Sequence, residues 1–265
     1  MSYRREIEAR LALYDELTGI LGAMRSFALA ELRRVGKREA AQQAVMESLA
    51  AALHDVNCAL PAPCVKSREI WLLFGSARGF CGSFNEDVAR CWREQTDGKT
   101  TRILIGERLH GLMDTGTNAY CLPGAQSALD ATATIDRILA AIEEVRTTRQ
   151  DEFRLMACFR DEKQPRCQQL WPLPIIRSQG NAYPPQTFSP LDEVASGVAE
   201  HYLFHTLLAL LLRAIRVENH MRLMQMETAL RHLEQGGEDL QRQRNRLRQE
   251  EIVEEIELMV GSRHR

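Results

Sequence analysis

The sequence predicts an α/β protein in which two long terminal helices form an antiparallel coiled coil around a small α/β domain. Apolar residues at alternating spacings of four and three recur at both ends of the chain, which is typical of helices that pack along one face. Between the ends, short β-rich segments alternate with helical ones, which is typical of a mainly parallel sheet. We therefore expect a helix within residues 1–60, the α/β domain at 61–190 and a second helix within 191–265.

The amino-terminal block predicts a single helix from about residue 3 to residue 57. No proline interrupts its heptad seam, and Pro61 and Pro63 mark the stop. Glycines within it weaken the helix by up to about 1 kcal/mol each relative to alanine, so it needs a partner. The seam comprises Ile7, Leu11, Tyr14, Thr18, Leu21, Arg25, Ala28, Leu32 and Val35.

The middle block predicts a small Rossmann-like sheet. Its apolar runs are short and rich in β-forming residues, and the segments between them have helical spacing. Strands that alternate with helices in this way form parallel pairs with the helices on the sheet faces. The strands are expected at 69–74, 102–106, 118–122, 153–159 and 167–176, and the helices from about 86 and over 131–147.

The carboxyl-terminal block predicts a helix from about Leu191 onward, because no proline follows it. The stretch Leu203–Val217 is apolar on nearly every side, so we expect the α/β domain to enclose it. Neither terminal helix can bury its stripe alone, so the two are expected to pair, and a domain that returns the chain to its start makes the pair antiparallel. The second seam includes Val194, Val198, His201, His205, Leu208, Leu212, Ile215, Met226, Leu233, Leu240 and Leu247, and after a phase shift Ile252, Ile256 and Met259.

Composition narrows the classes of function. The net charge of -2 offers no basic field for nucleic acid. The longest apolar run, Tyr202–Leu212, is well short of the roughly 20 residues that span a bilayer, and the charged amino terminus is unlike a signal peptide, so we expect a soluble chain. Seven cysteines without a CxxC pair predict scattered thiols in a reducing cytoplasm.

Candidate chemical motifs are few. The glycine-rich turn Gly75–Asn85 follows the first strand, where backbone N–H groups can bind phosphate, but it contains neither GxGxxG nor GK[ST], which favours a tight turn. Cys81 has no identifiable histidine partner for catalysis. His201 and His205 lack the glutamate of HExxH, so a packed pair is favoured over zinc ligands. We predict no catalytic, cofactor-binding or metal-binding residue.

Four segments carry a pattern that extends over nearly the whole chain. Residues 78–85 read RGFCGSFN, close to D-R-G-L-C-G-G-F-N, and residues 20–24 are similar to I-T-x-A-M. Residues 218–226 are similar to E-N-x-x-R-M-x-A-M, and residues 245–261 to the ending N-x-x-R-Q-x-x-I-T-x-E-I-x-E-I-V-x-G. In this order the segments resemble the gamma subunit of F-type rotary ATP synthases. Glu31, Ala77 and Leu223 depart from the pattern of that family, which suggests a divergent, alternate-type bacterial member.

The resemblance implies a central rotary stalk without an active site or cofactor. Such a stalk couples proton or sodium flow through a membrane ring to ATP synthesis or hydrolysis in a catalytic head. The implied partners are the alpha and beta subunits of the hexamer, the epsilon subunit and the membrane c-ring, at the cytoplasmic face of the bacterial inner membrane. The alternative is a small Rossmann-like nucleotide-binding enzyme with helical oligomerisation arms, which would bind a ligand as an isolated chain.

By motif match, the resemblance also implies roles for particular residues. The implied partner contacts are Asn245, Arg248 and Gln249 near the top of the shaft, Glu218, Arg222 and Met226 lower down, and Ile256, Met259 and Val260 at an apolar tip. The implied turn of the foot domain is shaped by Arg78, Gly79, Gly82 and Asn85.

Overall fold

The computed structural model describes residues 2–56, 59–60, 68–96, 100–113, 116, 118–149, 152–173 and 185–262. These residues form helices α1 (Ser2–Val56), α2 (Phe84–Gln95), α3 (Glu107–His110), α4 (Ala131–Arg149) and α5 (Leu191–Ser262). The strands are β1 (Arg68–Phe74), β2 (Thr101–Ile105), β3 (Ala119–Leu122), β4 (Phe153–Arg160) and β5 (Pro165–Trp171).

The predicted elements are present, with small shifts at their ends. Sequence reasoning missed only the short α3 and the 3-10 turn Ala128–Asp130 among the described helical segments. The last strand ends at Trp171 and not at Ile176, and residues 174–176 lie outside the described residues. Pro172 follows Trp171 and cannot donate a backbone hydrogen bond to a ladder, which is a local reason for the earlier end.

The five strands form one sheet in the order β3-β2-β1-β4-β5. Neighbouring strands are parallel except for β5, which is antiparallel to β4. The α/β class, the long terminal helices and the mainly parallel sheet are therefore confirmed. The strand order reverses at β1, since β2 lies on one side of it and β4 on the other.

Helices cover the sheet on both faces. Successive side chains of β1 point to opposite faces, so they enter two different cores. Ile70, Leu72 and Phe74 enter a core with residues of α4 and α5, whereas Trp71 and Leu73 enter a second core with residues of α2. Burial on both faces explains why residues 70–74 of β1 form a continuous apolar run.

The apolar stretch of α5 lies in the larger core, as the sequence predicts. Leu207, Leu211 and Ile215 are buried there with residues of the sheet. Among the described helices, α5 is long and apolar enough by length and composition to cross a membrane. Core helices of soluble proteins meet the same criterion, and the burial of these leucines gives the stretch a role in the core.

The chain divides into two compact units, residues 30–221 and residues 1–29 with 222–265. In the smaller unit, Arg4 Nη1 of α1 lies 2.6 Å from Glu251 Oε2 of α5. Further along α1, Tyr14 lies so close to Gly236 that a β-carbon on this glycine would be 2.8 Å from the tyrosine ring.

The larger unit also contains polar contacts between α1 and α5. Arg216 Nε lies 2.9 Å from Glu39 Oε2, and the same guanidinium pairs with Glu162 in the turn between β4 and β5. The hydrogen bond from Arg216 lowers the pKa of Glu162 below its ordinary value. Gln42 Nε2 donates a hydrogen bond of 2.9 Å to the backbone oxygen of His205.

His201 and His205 differ in environment, which corrects the prediction of a packed pair. His205 is half-buried and its Nδ1 lies 2.8 Å from Gln42 Nε2, whereas His201 is exposed. Burial lowers the pKa of His205, and the charge of His201 lowers it further. A spacing of four places two residues near the same helix face, but the packed partner covers only one of them.

Candidate functional site

The turn between β1 and α2 is closed by the buried side chain of Asn85. Its Oδ1 accepts a hydrogen bond of 2.9 Å from the backbone N–H of Ser76, and its Nδ2 donates one of 2.9 Å to Ser76 Oγ. Ser76 Oγ in turn donates to the backbone oxygen of Arg78. The first polar groups after β1 are thus satisfied within the turn and do not point to a ligand.

Two glycines permit the shape of this turn. Gly82 has a φ of 58°, in the left-handed region that glycine adopts without strain. Gly75 packs against α3, and a β-carbon there would lie 2.5 Å from the β-carbon of Leu109. Phe80 also has a positive φ, 60°, which no sequence rule indicated. The geometry supports the tight-turn interpretation of this segment.

A shallow surface depression of about 500 Å³ lies beside the turn. Gly79 and the exposed Phe80 contribute to its lining, together with one cation, Arg108, and one carboxylate, Glu86. Arg78 is exposed and its Nη2 donates a hydrogen bond of 3.1 Å to Gln126 Oε1. A single cation opposed by a carboxylate is a poor match to a nucleotide phosphate chain, so the depression does not favour the enzyme alternative.

Two groups of the residues implied as partner contacts are exposed on α5. Asn245, Arg248 and Gln249 are exposed, and the leucine of the seam beside them is half-buried. Towards the end of α5, the three apolar side chains of the second group are more than half exposed. Such a band is available to a partner, and large apolar surfaces in water are typical of interaction sites. The three are Ile256, Met259 and Val260.

The third group, Glu218, Arg222 and Met226, is buried, with exposed fractions of 6%, 7% and 1%. A spacing of four keeps the three side chains near one face of α5. The neighbouring Asn219 donates a hydrogen bond of 2.9 Å to the backbone oxygen of Ile215. Burial gives these residues a packing role within the chain, and their contact with a partner stays a prediction.

Glu31 has a structural role that the sequence did not reveal. It is buried, and its carboxylate accepts a hydrogen bond from the backbone N–H of Ala128, at the 3-10 turn before α4. Arg38 donates to the backbone oxygen of the same residue. The sequence showed only that Glu31 departs from the pattern of the family that the chain resembles. Its partner is 97 residues away, so no local pattern could identify it.

Three cysteines that we expected to be scattered lie together in the larger unit. The Sγ atoms of Cys91, Cys158 and Cys167 are all within 4.8 Å of one another. Burial raises the pKa of Cys91 to about 11, and a hydrogen bond from Cys158 lowers the pKa of Cys167 to about 7. Of the remaining cysteines, Cys58 and Cys64 lie outside the described residues.

Comparison with protein families and solved structures gives a consistent result. A family model described as ATP synthase matches residues 4–263. No curated protein sequence matches the chain significantly. A chain of the rotor of the Euglena gracilis mitochondrial ATP synthase is similar to it with a TM-score of 0.66 and 16% identity, over 95% of this chain and 99% of that one.

Two further solved chains have the same fold. One, from the OSCP/F1/c-ring assembly of the Euglena gracilis enzyme, has a TM-score of 0.64 at 16% identity, over 98% of this chain and 93% of that one. The other, from the central stalk and c-ring of the Tetrahymena thermophila mitochondrial ATP synthase, has a TM-score of 0.55 at 16% identity, over 79% of this chain and 99% of that one. At this identity the likenesses establish a shared fold.

Proposed function

Because the chain belongs to the gamma-subunit family of F-type ATP synthases, we propose that it is the central stalk of a rotary complex and transmits torque between a membrane ring and a catalytic head. The observation that carries this proposal is the extent of the family match, which runs from residue 4 to residue 263 and includes both terminal helices and the domain between them. Subunits of this family form the stalk and do not catalyse the reaction.

We further infer that α1 and α5 pair as an antiparallel coiled coil. In the smaller unit, Arg4 contacts Glu251 and Tyr14 lies against Gly236, so residue numbers rise along α1 as they fall along α5. The α1–α5 contacts of the larger unit follow the same order.

The burial pattern of α1 supports this pairing. Every seventh residue from Ile7 to Gln42 is buried or half-buried, as a seam that packs on a partner helix requires. Thr18 and Arg25, which the predicted seam includes, are exposed and lie off this heptad position. The residues of the heptad position are Ile7, Tyr14, Leu21, Ala28, Val35 and Gln42.

In the proposed complex, residues 1–60 and 191–265 form the shaft and residues 61–190 form the foot. The exposed Asn245, Arg248 and Gln249 contact the head of alpha and beta subunits, and the apolar end of α5 lies in a surrounding sleeve. Each orientation of the shaft stabilises one conformation of each neighbour and thereby shifts its affinity for nucleotide.

The foot contacts the epsilon subunit and the membrane c-ring in this proposal. We place the complex at the cytoplasmic face of a bacterial inner membrane, where the chain is peripheral. The solved relatives named above are mitochondrial. The bacterial assignment rests on the departures from the family pattern at Glu31, Ala77 and Leu223.

The test is recovery of a complex on the tagged full chain from the membranes of its source cells. We expect a hexameric head with ATP hydrolysis to co-purify. Replacing both Arg248 and Gln249 with alanine removes one charged polar contact, worth about 1.5–3 kcal/mol, and one neutral contact, worth about 0.5–1.5 kcal/mol. We therefore expect the affinity for the head to fall by at least about 30-fold and less head to be recovered.

The neighbouring pair Arg242 and Gln243 supplies a matched control, since it has the same residue types in the same order and is also exposed. Alanine at both of these positions is expected to leave recovery of the head unchanged. Recovery of the chain alone, or nucleotide binding by the isolated chain, would contradict the stalk and favour the enzyme alternative.

A further inference from the structure

The three clustered cysteines come from three different elements of the larger unit. Cys158 on β4 and Cys167 on β5 are direct partners in the antiparallel pair, so their side chains are on the same face of the sheet. Cys91 projects from α2, which packs over this face, and its Sγ is 3.3 Å from Cys167 Sγ. The sheet register and the position of α2 together bring the three sulfur atoms to one point.

The surroundings of the cluster are apolar on one side and open on the other. Cys158 is fully buried in the core that contains Trp71 and Val88. Cys91 and Cys167 are half-buried, so the cluster can be reached from solvent. A disulfide uses two thiols, and the cluster contains three. In this apolar setting, a bound cation would compensate the negative charge of the thiolates.

We propose that Cys91, Cys158 and Cys167 bind one soft metal ion, represented by Zn²⁺. Zinc–sulfur bonds of about 2.3 Å place the sulfurs of a tetrahedral site about 3.8 Å apart. The separations in the cluster, 3.3 Å between Cys91 and Cys167 and at most 4.8 Å for any pair, are compatible with that value. The exposed side leaves the fourth position to water.

The bound ion connects α2 to the β4–β5 pair. It binds the folded chain and therefore stabilises it by mass action. Because the sulfur ligands must be deprotonated, binding also releases protons. This site is independent of the shaft helices and of their contacts with a head.

The experiment is a titration of the reduced full chain with Zn²⁺ and with Cd²⁺, whose thiolate bonds produce ultraviolet charge-transfer absorption. We expect one high-affinity ion per chain. Cys91→Ser and Cys167→Ser each remove one sulfur ligand at a half-buried position, and each is expected to weaken binding by at least about tenfold. The control is Cys121→Ser, at an exposed position on β3 at the opposite edge of the sheet, which is expected to bind normally.

A second measurement does not depend on variants. X-ray absorption of the zinc-loaded wild-type chain is expected to show three sulfur neighbours at about 2.3 Å. Fewer than three sulfur neighbours would overturn the proposal. So would binding that persists when Cys91 and Cys167 are both serine, or a Cys91–Cys167 disulfide that forms on oxidation in a reduced chain that binds no metal.

Discussion

Glu31 is a carboxylate on a heptad helix, yet it is buried and accepts a hydrogen bond from the backbone N–H of Ala128. Glu31→Ala would leave that buried donor without its acceptor, and we expect a loss of about 1–3 kcal/mol in the free energy of unfolding. Glu31→Gln retains an acceptor oxygen and is expected to cost less. Denaturant unfolding of the full chain measures both values.

The control for this prediction is Glu47→Ala, on an exposed part of the same helix. Its carboxylate accepts a hydrogen bond of 2.9 Å from Gln43, one helical turn away, so we expect a change within about 0.5 kcal/mol. Equal losses for the variants at positions 31 and 47 would contradict the role given to the Ala128 contact.

His205 is the residue at which a pH dependence is expected. Burial, followed by the charge of His201, lowers its pKa in the folded chain below the ordinary 6.5, and Gln42 Nε2 lies 2.8 Å from its Nδ1. The unfolded chain therefore binds more protons than the folded chain at a pH just below 6.5. The contribution of the neutral His205 to the free energy of unfolding is present above that pH and is lost as the pH falls through the folded pKa.

An NMR titration of the His205 ring is expected to give a midpoint below 6.5. In His205→Gln, the unfolding free energy is expected to lose part of its dependence on pH in this range. A midpoint at or above 6.5 would refute the assignment.

At the scale of elements, the junction of β1, β2 and α3 depends on Gly75. A β-carbon there would lie 2.5 Å from Leu109 Cβ and 3.0 Å from the backbone oxygen of Ile105. We expect Gly75→Ala to lower the free energy of unfolding by about 1–3 kcal/mol, because an extra carbon must displace α3 or β2.

Gly197 provides the opposite case, since a β-carbon on this residue of α5 meets nothing within 4 Å. Gly197→Ala is expected to stabilise the chain by up to about 1 kcal/mol through helix propensity. Thermal unfolding of both variants against the wild type tests the pair. A neutral Gly75→Ala would show that α3 does not pack as tightly as the structure indicates.

At the scale of the whole molecule, the exposed apolar end of α5 allows an effect on assembly to be measured apart from an effect on folding. Serine at Ile256, Met259 and Val260 removes side chains that are more than half exposed in the chain, so each change is expected to alter the unfolding free energy by less than about 0.5 kcal/mol. If a sleeve surrounds these residues in the complex, the triple variant recovers less catalytic head than the wild type.

Unfolding and pull-down of the same triple variant distinguish the two effects. Loss of head with unchanged stability supports the proposed contact. An unchanged yield of head would contradict the role assigned to the apolar tip. It would not affect the contact proposed near Arg248 and Gln249, which the double alanine variant tests separately.

The sequence by itself determined which segments are helices and which are strands. Apolar spacings of three and four, and short β-rich runs, are local patterns, so α1, α5 and the strands could be predicted within a few residues of their ends. The tight turn after β1 was also predictable, since glycine permits conformations that other residues avoid. The motifs along the chain indicated the family, which the match over residues 4–263 confirms.

Only the tertiary structure decided which distant side chains meet. The register of β4 against β5 places Cys158 opposite Cys167, and Cys91, 76 residues before Cys167 in the chain, reaches the same point from α2. The rotation of α5 about its axis buries Met226 yet leaves His201 exposed. Periodicity tells which residues share a face of one element, but the neighbour of that face depends on how the elements pack, and packing is a property of the whole chain.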